Sequence, residues 1–250
     1  MQILIIPDIH LKPWIYDDAE IVLKQHPEVE NIVTLGDIPD DFGHKNDIPL
    51  YEDTFNRAEQ FYKDHPDSLW CIGNHEASYL WDQWTNGMAY RAKNTAYHKI
   101  KELYDMIPES QLAFIHRIDD VVFSHAGIEK RYVDAMCRNT GDDTDAVITQ
   151  INNFGCSQMW NDHSPIWFRP QMGYEYGIDF PTFQEDKLFY VVGHTPMQDV
   201  TLVKNVLSCD VFSTYRDGRP FGSQKFVIID TKTHVYTTTL APTGGNHVSI

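Results

Sequence analysis

The sequence predicts a layered α/β fold, and three observations carry that prediction. From Met1 to Asn74 short apolar runs alternate with longer helical stretches in the order strand, helix, strand, helix, strand, the rhythm of a sheet covered by helices. The runs, such as Ile3-Leu4-Ile5-Ile6 and Ile32-Val33-Thr34-Leu35, are apolar throughout rather than alternating, as expected of strands covered on both faces. Beyond residue 188 the pattern changes to strands alone.

Taken in order, the first strand runs into Asp8, and a helix is expected over residues 18–25, with Asp17 or Asp18 as its cap and His26-Pro27 as its stop. A second strand over 31–35 leads to Asp37. Residues 38–50, rich in Asp, Pro and Gly, read as a surface loop, followed by a helix over about 52–63 and a turn at His65-Pro66-Asp67 into a third strand, 69–72. Residues 77–105 read as largely helical, interrupted at Asn86-Gly87. Two adjacent strands, 111–117 and 121–124, and two helices, 129–137 and 142–152, come next. Residues 153–183 hold Gly, Pro and aromatics without a period and read as a long ordered loop or cap, which in a compact domain is usually functional. Strands are then expected over 188–192, 200–203, 205–210, 225–230 and 234–240, with a frayed tail from Ala241.

Composition sets the bounds. A chain of 250 residues, 42% hydrophobic and 22% charged, suits one globular domain spanning 1–250. The apolar start stops at Pro7-Asp8 and lacks a basic flank, so neither a signal peptide nor a membrane span fits, and a cytoplasmic location is expected. The formal charge of −16 speaks against a broad nucleic-acid footprint. It does not exclude a polyanionic substrate, because bound divalent cations reverse a local field. Cys71, Cys137, Cys156 and Cys209 form no Cys-x-x-Cys pair and read as small buried filler.

Chemistry concentrates where the apolar runs end. They close on Asp8-Ile9-His10, Gly36-Asp37, Gly73-Asn74-His75-Glu76, His125 and His194. Carboxyl ends of strands are where sites assemble in layered sheets, and polar groups at the ends of buried strands cost free energy unless something uses them. Any one block alone reads as a cap, a turn or a core histidine. Five in one chain ask for a metal. His26, His65, His98, His163, His234 and His247 lie outside the blocks and read as ordinary histidines.

In this order, Asp8-Ile9-His10, Gly36-Asp37-Ile38-Pro39-Asp40, Gly73-Asn74-His75-Glu76, Ser124-His125-Ala126-Gly127 and Gly193-His194-Thr195-Pro196 resemble the five signature blocks of the calcineurin-like metallophosphoesterases. They are closest to the phosphoprotein phosphatase branch, which includes Ser/Thr protein phosphatases and diadenosine tetraphosphate hydrolases. The resemblance spans residues 1 to about 240. It implies a four-layer α/β/β/α sandwich, whose second sheet the residue pattern alone does not supply, with a dinuclear metal site at the carboxyl ends of the strands. Asp8, His10 and Asp37 would hold one divalent ion, and Asp37, Asn74, His125 and His194 the other. Mixed carboxylate, imidazole and amide ligands suit Mn²⁺ best, with Fe or Zn²⁺ as further options.

The resemblance further implies hydrolysis of phosphate monoesters, in the manner of a Ser/Thr phosphatase, by a metal-bridging hydroxide attacking phosphorus. His75 would protonate the leaving oxygen and Asp40 would fix its tautomer; Glu76 reads as structural. The phosphorylated substrate would be a phosphoprotein or a nucleotide. The pattern departs from the family at Asp41-Phe42, where protein phosphatases carry Arg-Gly, so a phosphate-clamping arginine is replaced by an acid. Arg169 resembles the later arginine of the family's cap segment and could supply that contact, with His44 and Lys45 as further candidates. Two alternatives stay open: a dinucleotide polyphosphate or phosphodiester hydrolase, and a binding scaffold that kept the fold and lost the chemistry.

Overall fold

A computed structural model describes residues 1–172 and 181–245; residues 173–180 of the expected cap segment, and 246–250 of the tail, lie outside the described residues. Among the described residues, no helix is long and apolar enough to cross a membrane.

The chain forms two sheets. The first contains β1 (Gln2–Ile6), β2 (Asn31–Thr34), β3 (Leu69–Cys71), β4 (Leu112–Ala113), β10 (Lys225–Asp230) and β11 (Tyr236–Leu240), in the spatial order β11-β10-β1-β2-β3-β4. The second contains β5 (Ile115–Ile118), β6 (Val121–Ser124), β7 (Phe189–Val192), β8 (Thr201–Val203) and β9 (Val206–Ser208), in the order β5-β6-β7-β9-β8. From β1 to β4 neighbouring strands run parallel, as do β6, β7 and β9. Each sheet therefore gathers the carboxyl ends of its parallel strands along one edge.

The uninterrupted apolar strands are explained by what covers them. Ile3, Ile5, Val33 and Leu35 face Val121, Phe123, Val191 and Leu207 of the other sheet in a buried layer between the two. The opposite faces, Leu4, Ile6, Ile32 and Trp70, pack under helices α1 (Trp14–Gln25), α2 (Ile48–Asp64) and α4 (Lys93–Met106). Val122, Tyr190 and Val192 pack under α5 (Lys130–Met136), α6 (Thr144–Asn152) and the segment around Met159 and Ile166. The result is helix, sheet, sheet, helix, as the resemblance implied.

Several boundaries differ from expectation, each for a local reason. α1 begins at Trp14, because Pro13 brings its fixed backbone angle (φ −56°) to the helix start. Asp18 is consequently not a cap. It is fully buried, and its carboxylate accepts from the backbone N–H groups of Thr243 and Gly244 at 3.0–3.1 Å. That contact ties down residues 241–245, which the sequence read as frayed. α2 starts at Ile48, inside the expected loop, with Asp47 accepting from Leu50 N at 3.3 Å and Pro49 in the first turn. The 77–105 helix resolves into α3 (Asn74–Leu80) and α4, separated around Gly87, whose φ of +109° breaks helical geometry.

The expected strand 111–117 is two strands in two sheets. Leu112 and Ala113 pair with Trp70 and Cys71, whereas Ile115–Ile118 pairs with Ser124–Val121. Between them Phe114 turns into the second sheet's outer core against Trp81. Residues 156–159 form a short helix, α7 (Cys156–Met159), in the otherwise irregular stretch after α6.

Candidate metal centre

The carboxyl edges of the two sheets meet, and the residues singled out in the sequence converge there. Asp8, Asp37 and Asn74 follow β1, β2 and β3; His125 and His194 follow β6 and β7. Asp37 is central. Its Oδ2 lies 3.3 Å from His125 Nε2 and 3.9 Å from the Nε2 atoms of both His10 and His75, while Oδ1 accepts from His75 N at 2.9 Å. Two groups of potential ligand atoms share this residue, His10–Asp37–His75 and Asp37–His125–His194, each within 4.8 Å.

The donor set fits metal ions better than it fits hydrogen bonds. His125 Nδ1 donates to Leu35 O at 2.8 Å, and His194 Nε2 lies 3.2 Å from Trp167 O, so their other ring nitrogens are bare when neutral. Those bare nitrogens face one another at 3.1 Å, and His125 Nε2 also faces Asn74 Oδ1 at 2.8 Å and Asp37 Oδ2. With both imidazoles neutral, electron pairs converge from four sides with no proton among them. His10 repeats the device, donating Nδ1–H to Asp40 O at 2.8 Å and leaving Nε2 toward Asp37. Asp8 accepts from His194 N through Oδ2 at 2.9 Å, but among the described residues its buried Oδ1 has no hydrogen-bond partner. Burial, then the nearby Asp210 carboxylate, hold Asp8 well above the usual carboxylate range. Burial alone would deprotonate His125, yet the Asp37 carboxylate overcomes it and pushes the imidazole up to about 9. A proton there occupies the space a cation would take.

The backbone is bent to make this possible. His10 (φ 44°), Asp37 (φ 53°), Asp40 (φ 68°) and His194 (φ 64°) all sit in the left-handed region, at a cost of about 1–2 kcal/mol each for ordinary residues and less for Asp and His. Such concentrations mark functional sites. Glycine supplies the close approaches: a Cβ on Gly193 would lie 1.9 Å from Asp8 Oδ1, and one on Gly73 2.2 Å from Asp37 Oδ1. Gly193→Ala is expected to displace the Asp8 carboxylate, costing about 2 kcal/mol of stability and about 10–100-fold in metal affinity. Melting and calorimetric metal titration would check it, and unchanged affinity would refute the close-packing account.

His75 repeats the placement of His10, its Nε2 also 3.9 Å from Asp37 Oδ2, and differs from it in the partner of its other nitrogen. Its Nδ1 donates to Asp40 Oδ2 at 2.7 Å. Burial opposes its charge, but Asp37 and Asp40 overcome that and raise it to about 9. Asp40 is held in turn by the hydroxyls of Tyr51 and Tyr79, each donating to Oδ1 at 2.5 Å. Glu76, fully buried, accepts from Asp37 N and Gly73 N at 3.0 Å and from Ile38 N at 2.5 Å, joining two site turns.

A cavity of about 220 Å³ opens over these residues, lined among others by His10, Asn74, His75, Trp167 and Arg169. Arg169 Nη1 donates to His194 O at 3.0 Å and Thr195 Oγ1 at 3.2 Å, which fixes the guanidinium at the wall. His44 and Lys45 are not among the described lining residues; His44 instead lies 3.5 Å from Asp47. Sequence reading missed Asp210, although it closes the apolar run Val206-Leu207-Ser208-Cys209 as the other blocks do. It is fully buried and accepts from Ser213 Oγ at 2.9 and 3.0 Å. Tyr51, Tyr79 and Lys12 were also missed; a lone tyrosine or lysine in a helix or loop carries no signal of what it will touch.

Comparison with known proteins follows from this geometry. Residues 1–202 match the family described as calcineurin-like phosphoesterase. No curated protein sequence matches the chain. Among solved structures, a cold-active protein-tyrosine phosphatase of the psychrophile Shewanella superimposes with a TM-score of 0.62 at 18% identity, covering 98% of this chain and 78% of that one. A protein serine/threonine phosphatase from Saccharomyces cerevisiae gives 0.51 at 10% identity, covering 96% and 80%. At such identities the likeness is one of fold.

Proposed function

The chain belongs to the calcineurin-like phosphoesterase family, whose members hydrolyse phosphoesters with divalent metals, and on that premise we propose that it is a phosphate monoesterase using the residues described above. The observation that carries this reading is the set of bare ring nitrogens and unpartnered carboxylate oxygen converging on Asp37. In the proposal Asp8, His10 and Asp37 hold one divalent ion and Asp37, Asn74, His125 and His194 the other. The mixture of nitrogen and oxygen donors suits Mn²⁺, Fe or Zn²⁺. When bound, such a pair supplies Lewis-acid activation of water and offsets charge on the phosphoryl oxygens.

The remaining steps belong to the protein's own groups. Arg169, anchored on His194 and Thr195, offers its free guanidinium edge to the phosphoryl oxygens. His75 Nε2 delivers its proton to the leaving oxygen, because Nδ1 is committed to Asp40. Tyr51 and Tyr79 occupy Oδ1 of Asp40 and so leave Oδ2 for His75. The intact donor set supports an enzyme over a scaffold.

The test compares 4-nitrophenyl phosphate with bis(4-nitrophenyl) phosphate in the presence of Mn²⁺. The monoester is expected to be preferred, and Arg169→Ala to raise its KM by about 10–100-fold, the worth of a charge-assisted contact. Preference for the diester, with KM indifferent to Arg169, would replace the monoester reading by a diesterase.

A further inference from the structure

Charge is unevenly placed on the cavity wall. Asp41 lines it together with Phe42, Ser213 and Thr214, and its carboxylate accepts from Lys12 Nζ at 2.9 Å and from Thr214 Oγ1. Lys12 stands behind it. The lysine is buried, donates also to His10 O at 3.0 Å, and is not among the described lining residues. The pair is thus a fixed dipole whose negative end faces the cavity. Burial would push the Asp41 carboxyl up, but Lys12 and Thr214 overcome it and hold it below its ordinary value, so it is an anion at neutral pH.

All three lining carboxylates are held in place: Asp37 by the histidines around it, Asp40 by His75, Tyr51 and Tyr79, and Asp41 by Lys12, Thr214 and the backbone N–H of Phe42. Among the described lining residues, Arg169 is the one lysine or arginine, and the phosphoryl group claims it. Asp41 follows directly on the Asp40 that holds His75 and lines the cavity with Phe42, Ser213 and Thr214, while Arg169 hangs on His194 and Thr195. A second anionic group beside Asp41 meets a fixed carboxylate; the nearby Arg216, 6.0 Å over the Phe42 ring, is not among the described lining residues.

We propose that Asp41 is a specificity-determining residue that selects by leaving-group charge. Phosphate monoesters with a neutral or cationic leaving group are accepted, and substrates carrying a second anion beside the scissile phosphate, polyphosphates included, are disfavoured. This rests on the monoesterase reading above. Selection works by repulsion, a standard device of specificity, and like charges a few ångströms apart in a partly desolvated cleft suffice for it.

The test uses Mn²⁺-loaded protein and three aryl phosphates carrying a carboxylate, hydrogen or trimethylammonium group, each set off by a methylene so that leaving-group acidity changes little. The wild type should favour the trimethylammonium over the carboxylate substrate in kcat/KM by about tenfold or more, and Asp41→Asn should bring that ratio down by about tenfold. An equal ratio in both proteins overturns the proposal. Should Asp41→Asn fail to fold because Lys12 is left buried without its counter-charge, the double variant Lys12→Met, Asp41→Asn removes the whole dipole and carries the same expectation. A wild type indifferent to substituent charge, or favouring the carboxylate, overturns the inference alone. A wild type that turns over none of the three overturns the monoesterase reading and the inference together.

Discussion

His75→Asn is expected to lower kcat by about 10³-fold on alkyl phosphates and by roughly tenfold or less on 4-nitrophenyl phosphate. The asymmetry is the informative part. An alkoxide is too basic to leave unprotonated, whereas nitrophenolate leaves readily without help, so loss of a proton donor is felt in proportion to leaving-group basicity. The structure supplies the support for that role: Nδ1 is held by Asp40 at 2.7 Å, which leaves Nε2 for the proton. Metal content should be unaltered. His75 Nε2 also lies 3.9 Å from Asp37 Oδ2, in the same ligand-distance group as His10, so a competing role as a ligand is open to measurement. If metal is lost with His75, or if both substrates slow equally, the proton-donor assignment is wrong.

Stripping the metals is expected to abolish turnover and to lower the melting temperature by about 10 °C or more. Ions present at a hundred times their dissociation constants contribute about 2.7 kcal/mol per site, and a domain of this size loses about 2–4 °C per kcal/mol. Asp37→Asn should reproduce most of that loss alone, because both ligand groups share its carboxylate. His10→Ala should remove only the ion that the proposal assigns to it together with Asp8 and Asp37. Calorimetric titration with Mn²⁺ distinguishes the cases: no site for Asp37→Asn and one for His10→Ala. Retention of two sites in Asp37→Asn would show that the carboxylate does not bridge.

Much of this was legible in the chain because strand ends and ligand types coincide. Asp8, Asp37, Asn74, His125 and His194 each close an apolar run, and the same layering that makes those runs apolar also lines up their ends. What escaped depended on contacts distant in sequence. Nothing near Asp18 shows that Thr243 and Gly244 will return to it across more than two hundred residues. The passage from one sheet to the other at Phe114 is hidden because Leu112–Ala113 and Ile115–Ile118 have the same local character; only their partners differ. Asp41 looked like a lost arginine in the sequence, and its meaning changed once Lys12 was found behind it. The second sheet came from family resemblance, since a run of strands does not say whether they extend one sheet or begin another.

The strands that place the proposed ligands belong to two separate sheets, Asp8, Asp37 and Asn74 to one and His125 and His194 to the other, with no strand pairing between the layers among the described residues and a packed apolar interior holding them apart. Neighbouring residues in a strand are about 3.3 Å apart, whereas ligand positions tolerate only tenths of an ångström. Ions bound there would therefore act as a vernier on the sandwich, reporting how accurately one layer sits over the other. A methylene lost from that layer by Ile3→Val or Ile229→Val, mild in its effect on folding, would surface first as weakened metal retention. In such a protein the interior between the layers is free to drift in composition only along paths that keep its thickness constant.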